Sequence, residues 1–189
     1  MLVLRDLILG PRRFTDLRES LPGIATNVLT QRLKQLEVDG VIRRRKLPPP
    51  AGSTVYELTE FGRELEPVLL ALGRWGARSF GEPAGGETMR SDWFGVALKA
   101  FFTPEAAEGV DATVALRFDD GGLALTIRDG RLDVAVGAPE KADLTLTAPT
   151  AATFLAFLTG AADAAALSPE GDEELLARLP SIFPFVAHE

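Results

Sequence analysis

The residues best placed to do chemistry fall within positions 12–46. Arg12-Arg13 is a cation pair, and Arg43-Arg44-Arg45-Lys46 is a run of four cations. Between them Thr26, Asn27, Thr30, Gln31 and Lys34 recur at helical spacing, giving one polar helix face. Asn, Gln and Lys side chains can bond the edges of bases in a DNA major groove, and cations flanking them can meet phosphate. Each group alone has a plainer explanation. Four cations on a strand are more often a solvated edge that discourages sheet pairing, and a polar helix face is usually just surface. Their joint order, with cations before and after a polar helix, is what points to duplex DNA as the partner.

Catalysis finds no comparable constellation. The single histidine, His188, stands next to the last residue, and no Ser-His-acid set, P-loop or dinucleotide fingerprint occurs. There are no cysteines, which excludes disulfides, thiolate metal sites and thiol redox switching. Asp119-Asp120-Gly121-Gly122 reads as a turn. Glu170, Asp172, Glu173 and Glu174 read as the acidic start of a helix. The expectation is therefore a protein that is not an enzyme, with no catalytic residues, no metal and no cofactor.

The charge distribution supports this division of labour. The 189 residues carry a net charge of −7, yet residues 1–81 hold 13 Lys and Arg against 9 Asp and Glu, and residues 82–189 hold 7 against 18. A basic first part joined to an acidic second part is expected where only one of them meets phosphate. The opening Met1-Leu2-Val3-Leu4-Arg5-Asp6 lacks a signal-peptide layout, and the weakly polar stretch 148–167, interrupted by Pro149 and Asp163, reads as buried helix. These features lead to an expected cytoplasmic location.

The elements that must position the cations are legible from apolar spacing. Leu2–Leu9 and Phe14–Leu21 read as helices, the second with Phe14, Leu17 and Leu21 on one face. A third helix, Thr26–Asp39, turns Leu29, Leu33 and Leu36 inward and ends at Gly40. Strands Val41–Lys46 and Thr54–Leu58 follow, joined by a proline-rich loop too long for a tight hairpin. From Thr59 a helix carries Phe61, Leu65, Val68, Leu69, Leu72 and Trp75 as an apolar stripe, and Pro67 should kink or split it. The stripe exceeds what one small domain can cover, so Phe61, Leu65, Leu69, Leu72 and Trp75 are the expected two-fold dimer interface.

Residues 82–89 read as a linker, and residues 90–189 as a second, α+β domain. A helix at Asp92–Phe102 is rich in aromatics. Runs at Thr113–Phe118, Leu123–Arg128, Arg131–Val136 and Asp143–Thr147 alternate with period two, as an antiparallel sheet covered on one face by helices. Asp129-Gly130 is a strong hairpin signal. A helix beginning at Pro149 and another at Glu170–Leu179 complete the domain. Trp93, Phe94, Phe101, Phe154 and Phe157 either line a pocket for a hydrophobic small-molecule effector or simply fill the core. The whole is expected to be a two-domain α+β protein, with residues 1–81 a winged helix-turn-helix.

Several linked segments resemble one family. Leu2-Val3-Leu4-Arg5-Asp6-Leu7-Ile8-Leu9-Gly10-Pro11-Arg12-Arg13-Phe14 is similar to the opening motif of HxlR-type winged-helix regulators, relatives of the MarR group. Leu29-Thr30-Gln31-Arg32-Leu33-Lys34-Gln35-Leu36-Glu37 resembles their recognition helix, Gly40-Val41-Ile42-Arg43-Arg44 the strand after it, and Tyr56-Glu57-Leu58-Thr59-Glu60-Phe61-Gly62 the corner that follows the wing. The resemblance implies a homodimer on a pseudo-palindromic operator. Such proteins usually have an extra N-terminal helical segment, often with a cysteine, and this sequence opens within what corresponds to that region. Ala25 stands where the family commonly has a serine cap, leaving Thr26 as the alternative cap.

The second half resembles, more faintly, the sterol carrier protein type 2 fold, a five-stranded sheet with helices sheltering an apolar cavity. The segments are Leu125–Leu132, Ala142–Leu146, Phe154–Gly160 and Glu170–Asp172, whereas Ala164–Pro169 is a poor strand former where that family has its last strand. Two other readings stay open: a lipid or small-molecule carrier whose winged helix serves protein contacts, and a regulator whose second domain only dimerises or spaces.

Overall fold

Leucine spacing decides the first helices. In the computed structural model, which describes residues 1–49, 52–77 and 90–185, α1 (Leu2–Ile8) buries Val3, Leu4 and Leu7. α2 (Phe14–Ser20) buries Leu17, and α3 (Thr26–Val38) buries Leu29 and Leu33. These side chains form one core with Leu21, Val41, Ile42 and Leu58, and Leu36 is half-buried against it. Two units divide the chain, Met1–Leu69 and Leu70–Glu189. The expected linker at 82–89, His188, and Pro50 and Ala51 of the proline-rich loop lie outside the described residues.

The first unit's sheet has three antiparallel strands, β1 (Arg12–Arg13), β2 (Ile42–Lys46) and β3 (Thr54–Leu58), in the order β1-β3-β2. β1 has no sequence signature, because two residues cannot show alternation. It pairs Arg12 with Tyr56 and Arg13 with Val55. One expectation is corrected at α3. The N-cap is Ala25, with an extended backbone and no side-chain cap, so Thr26 is the first helical residue and not the cap. The Thr26 carbonyl instead accepts the Thr30 hydroxyl at 2.8 Å.

After β3 the expected split occurs: α4 (Glu60–Arg63) ends before α5 (Glu66–Ala77). Pro67 stands in the first turn of α5, where a missing N–H breaks no intrahelical bond. Thr59 holds the corner. Its hydroxyl donates to the Gly40 carbonyl at 2.6 Å and accepts the Gly62 N–H at 3.0 Å. This brings α4 so close to Val41 that a Cβ on Gly62 would collide with the Val41 carbonyl oxygen. Gly62→Ala is therefore expected to cost about 1–3 kcal/mol, the usual penalty of overpacking. An unchanged urea midpoint would show that the corner relaxes freely.

The second unit contains α6 (Ser91–Phe101), β4 (Ala112–Phe118), β5 (Gly121–Arg128), β6 (Arg131–Val136), β7 (Leu144–Thr147), α7 (Ala151–Leu158), a short 3₁₀ helix (Ala164–Leu167), β8 (Pro169–Gly171) and α8 (Glu173–Ile182). Asp129 and Gly130 both take positive φ, 49° and 66°, as a mirror-image hairpin turn requires, and Arg128 faces Arg131. Val114, Leu116, Leu123, Leu125, Ile127, Val134, Leu144 and Leu146 are all buried. Val136, which period-two alternation places on the face of Leu132 and Val134, is 46% exposed at the end of edge strand β6. α6 packs on β5 and β6, and α8 on β7.

The antiparallel expectation is corrected here. The sheet is mixed, in the order β6-β5-β4-β7-β8, and β7 runs parallel to β4 with Val114 facing Leu144. Residues 137–143 carry the chain from edge strand β6 past β5 and β4 to the far side of β4. There Asp143 fixes the start of β7: its N–H donates to the Thr113 carbonyl at 2.8 Å and its carboxylate accepts the Thr113 N–H at 2.7 Å. Alternation reveals which face is buried, but not which strand is the neighbour or its direction.

The fifth strand lies just beyond the alanine run, at Pro169–Gly171, so Glu170 belongs to a strand and not to the following helix. Gly171, at φ +115°, passes so near the Asp143 carbonyl that no side chain fits. Asp172 caps α8 by accepting the Leu175 N–H at 2.9 Å, and Glu173 and Glu174 fill its first turn. α7 starts two residues after Pro149, with Thr150 as its cap.

Candidate nucleic-acid interface

The third helix presents the polar face its spacing implied. Thr26, Asn27, Thr30, Gln31 and Lys34 are all exposed, on the side opposite the fully buried Leu29 and Leu33. Two of these side chains are partly engaged with their own helix. The Asn27 side-chain Oδ1 accepts the Val28 N–H at 2.9 Å, and the Thr30 hydroxyl donates to the Thr26 carbonyl. Gln31 and Lys34, longer and further along, are the side chains with most reach.

The four wing cations separate into two pairs by strand alternation. Arg43 and Arg45 share one face of β2 and converge on Glu57 of β3. Arg43 Nε donates to Glu57 Oε1 at 2.7 Å, and Arg45 Nε to Oε2 at 3.0 Å. Glu57 is only 7% exposed, whereas the arginines are 61% and 45% exposed. The Arg45 hydrogen bond, with that of Arg43, holds the Glu57 carboxyl below the usual carboxylate range against the opposing effect of burial. Arg44 and Lys46 share the other face. Arg44 Nε donates to Glu37 of α3 at 3.2 Å, which raises the already high Arg44 pKa and ties the wing strand to that helix.

Arg12 and Arg13 are placed differently from each other. Arg12 is half-buried, and its Nε donates to the Asp6 carbonyl at 3.4 Å, bracing α1. Arg13 is exposed, and its N–H donates to Asp16 at 2.9 Å at the start of α2. Asp6 itself is buried, accepting the Ser20 hydroxyl at 2.5 Å and Arg5 at 2.8 Å. The structure thus brings Arg44 and the α3 face together through Glu37, while Arg12 belongs mainly to the scaffold.

The proposed dimer residues divide as well. Phe61, Leu72 and Trp75 are 59%, 46% and 66% exposed, whereas Leu65 and Leu69 pack partly on the first unit's core. Among the candidate pocket residues Phe94 and Phe154 are fully buried, with rings 5.6 Å apart edge to face, and Phe157 lies 6.1 Å from Phe154. Phe101 joins them through Phe185, which contacts both Phe101 and Phe94. Trp93 is half-buried on α6.

Sequence reasoning missed Glu57, Glu37 and Phe185. A glutamate directly opposite Arg43 is a cross-strand pair that register would have revealed. The long proline-rich loop leaves that register undefined from sequence. Among the described residues no group of three potential metal ligands occurs, and no helix is long and apolar enough to cross a membrane.

The family model described as HxlR-like helix-turn-helix matches residues 1–83. An HTH-type transcriptional regulator of Synechocystis sp., itself uncharacterized, is 46% identical over 77 residues, covering 41% of this chain and 57% of that protein. The HTH-type transcriptional regulator YodB of Bacillus subtilis is 37% identical over 82 residues, covering 43% of this chain and 72% of YodB. The solved reduced form of YodB shares 36% identity over 44% of this chain and 80% of its own, with a TM-score of 0.37. The chain belongs to the HxlR-like helix-turn-helix family. It spans 57%, 60% and 56% of the length of three of the curated relatives it matches.

Proposed function

We propose that this protein is a DNA-binding transcriptional regulator, acting in the cytoplasm as a homodimer on a pseudo-palindromic operator. One observation carries the reading: an exposed polar face on α3, followed by a cationic strand bonded to that helix through Arg44 and Glu37. Gln31, Lys34, Asn27, Thr30 and Thr26 face base edges in the major groove, and Arg13, Arg44 and Lys46 meet phosphate. Relatives named as HTH-type transcriptional regulators support the same assignment. The reading assigns no catalysis.

The test is base preference. Replacing Gln31 and Asn27 together by Ala is expected to relax preference within each half-site, at about 1–3 kcal/mol per lost base contact. If the preferred sequence and affinity stay untouched, another element reads the bases.

The second unit, on this proposal, resembles the sterol carrier protein type 2 fold and receives the signal. Its five-stranded sheet and clustered aromatic rings support the comparison. These 189 residues hold no cysteine, and an apolar effector among Trp93, Phe94, Phe101, Phe154 and Phe157 is the proposed route for a small-molecule signal. Such a ligand can alter DNA affinity only reciprocally, typically by about 5–150-fold. Native mass spectrometry of the purified protein is expected to show a bound lipid. A ligand-free spectrum, with no apolar compound taken up on incubation, would leave the unit as a dimerisation scaffold.

A further inference from the structure

Glu57 is a carboxylate with more than nine-tenths of its surface removed from water, and two guanidinium groups answer it. It also borders an open cleft of about 80 Å³ lined by apolar Leu7, Ile8, Pro11 and Leu58 together with Arg63 and Glu66. A shielded carboxylate that loses its partners is penalised more than an exposed one, because fewer waters can replace the lost bonds. Arg43 or Arg45 can therefore turn to a DNA phosphate only by weakening that arrangement. Arg44 is under no such restraint, since its partner Glu37 is 35% exposed and regains water when released.

We propose that Glu57 limits the sequence-independent part of DNA affinity by withholding Arg43 and Arg45 from phosphate. The proposal rests on the DNA-binding reading above. Phosphate contacts act on every sequence alike, so each one suppressed lowers affinity for all duplexes by about the same factor and leaves base readout as it was. The wing base then works as a rigid cross-braced support. Arg44 and Lys46 on the opposite strand face supply its electrostatic attraction.

The experiment measures binding of the full chain to a fluorescent random-sequence duplex across a salt series, for native protein, Arg45→Gln, Arg44→Gln, Glu57→Gln and Glu57→Gln with Arg45→Gln. Native protein should bind with a steep salt slope, unchanged in Arg45→Gln and flattened by about 0.9 per protomer in Arg44→Gln. Glu57→Gln should steepen the slope by about 0.9–1.8 per protomer and raise random-duplex affinity roughly tenfold or more. Adding Arg45→Gln to Glu57→Gln should take back about 0.9. A simple structural role for Glu57 would lower binding to all sequences and leave the slope alone.

The proposal is overturned if Arg45→Gln flattens the native slope as much as Arg44→Gln does, or if a folded Glu57→Gln keeps the native slope. Either result leaves DNA binding standing. Absence of any salt-dependent binding by native protein would remove the DNA reading and this inference together. Should Glu57→Gln fail to give a native circular dichroism spectrum, Arg45→Gln decides alone: an unchanged slope supports the proposal and a flattened one overturns it.

Discussion

Raising salt from about 50 to 200 mM is expected to weaken binding of the dimer to its operator roughly a thousandfold. Arg13, Arg44 and Lys46 are exposed cations near the polar helix face in chain order, and two copies of each give six phosphate contacts. Each neutralised phosphate releases condensed counterions, so the log–log slope should approach about −5. Arg44→Gln should flatten it by about 1.8 for the dimer, and operator and random DNA should lose affinity about equally. Gln31→Ala should behave in the opposite way, lowering operator affinity and leaving the slope in place. A slope near zero with intact binding would mean that the basic wing strand is only a solvated sheet edge, the alternative its composition always allowed.

The second large effect is expected at α5. No residue of that helix is buried, and Leu72 and Trp75 stand 46% and 66% exposed. Large apolar side chains in such a run are characteristic of a surface covered by a partner. Leu72→Glu would place a charge in the proposed two-fold interface, and sedimentation should then show monomers. Operator affinity should fall about a hundredfold or more, because the second half-site would no longer be held at high effective concentration. Leu72 is a cleaner position than Leu69, whose side chain also packs on the first unit's own core. A Leu72→Glu protein that still sediments as a dimer would move the interface elsewhere in the chain.

How much of this was legible in the sequence depended on the range of each interaction. Leu29 and Leu33 announced both the buried and the exposed face of α3, because helical periodicity is a local property. Asp129-Gly130 announced a hairpin because positive φ at both positions is a demand of the turn itself. Pro67 announced the break between α4 and α5 for a similar reason. What stayed hidden was non-local. Nothing in Leu144–Thr147 says that it lies parallel to β4, and nothing in Arg12-Arg13 says that it pairs with β3. The same applies to the interface: its cations were visible as a run, but their division into Arg43 with Arg45 and Arg44 with Lys46 needed the register against Glu57.

The Thr59–Gly62 corner shows the reverse case, a motif recognisable from sequence whose reason appears only in three dimensions. Thr59 bonds back to Gly40, and Gly62 leaves room for the Val41 carbonyl. Both lie where β3 turns back across the start of β2, so they fix the strands that carry the cations. These residues act on the interface through the backbone and touch no ligand themselves.

The most direct test of the central claim is selection of fragments from genomic DNA by the purified protein, followed by sequencing of what is retained. The expected result is enrichment of a pseudo-palindromic sequence whose half-sites are separated by about one helical turn or a multiple of it. Enrichment should disappear, with residual salt-dependent binding left behind, when Gln31 and Asn27 are both replaced by Ala. Retention of no fragments, or of fragments sharing no sequence, would contradict the assignment of this protein as a sequence-specific regulator.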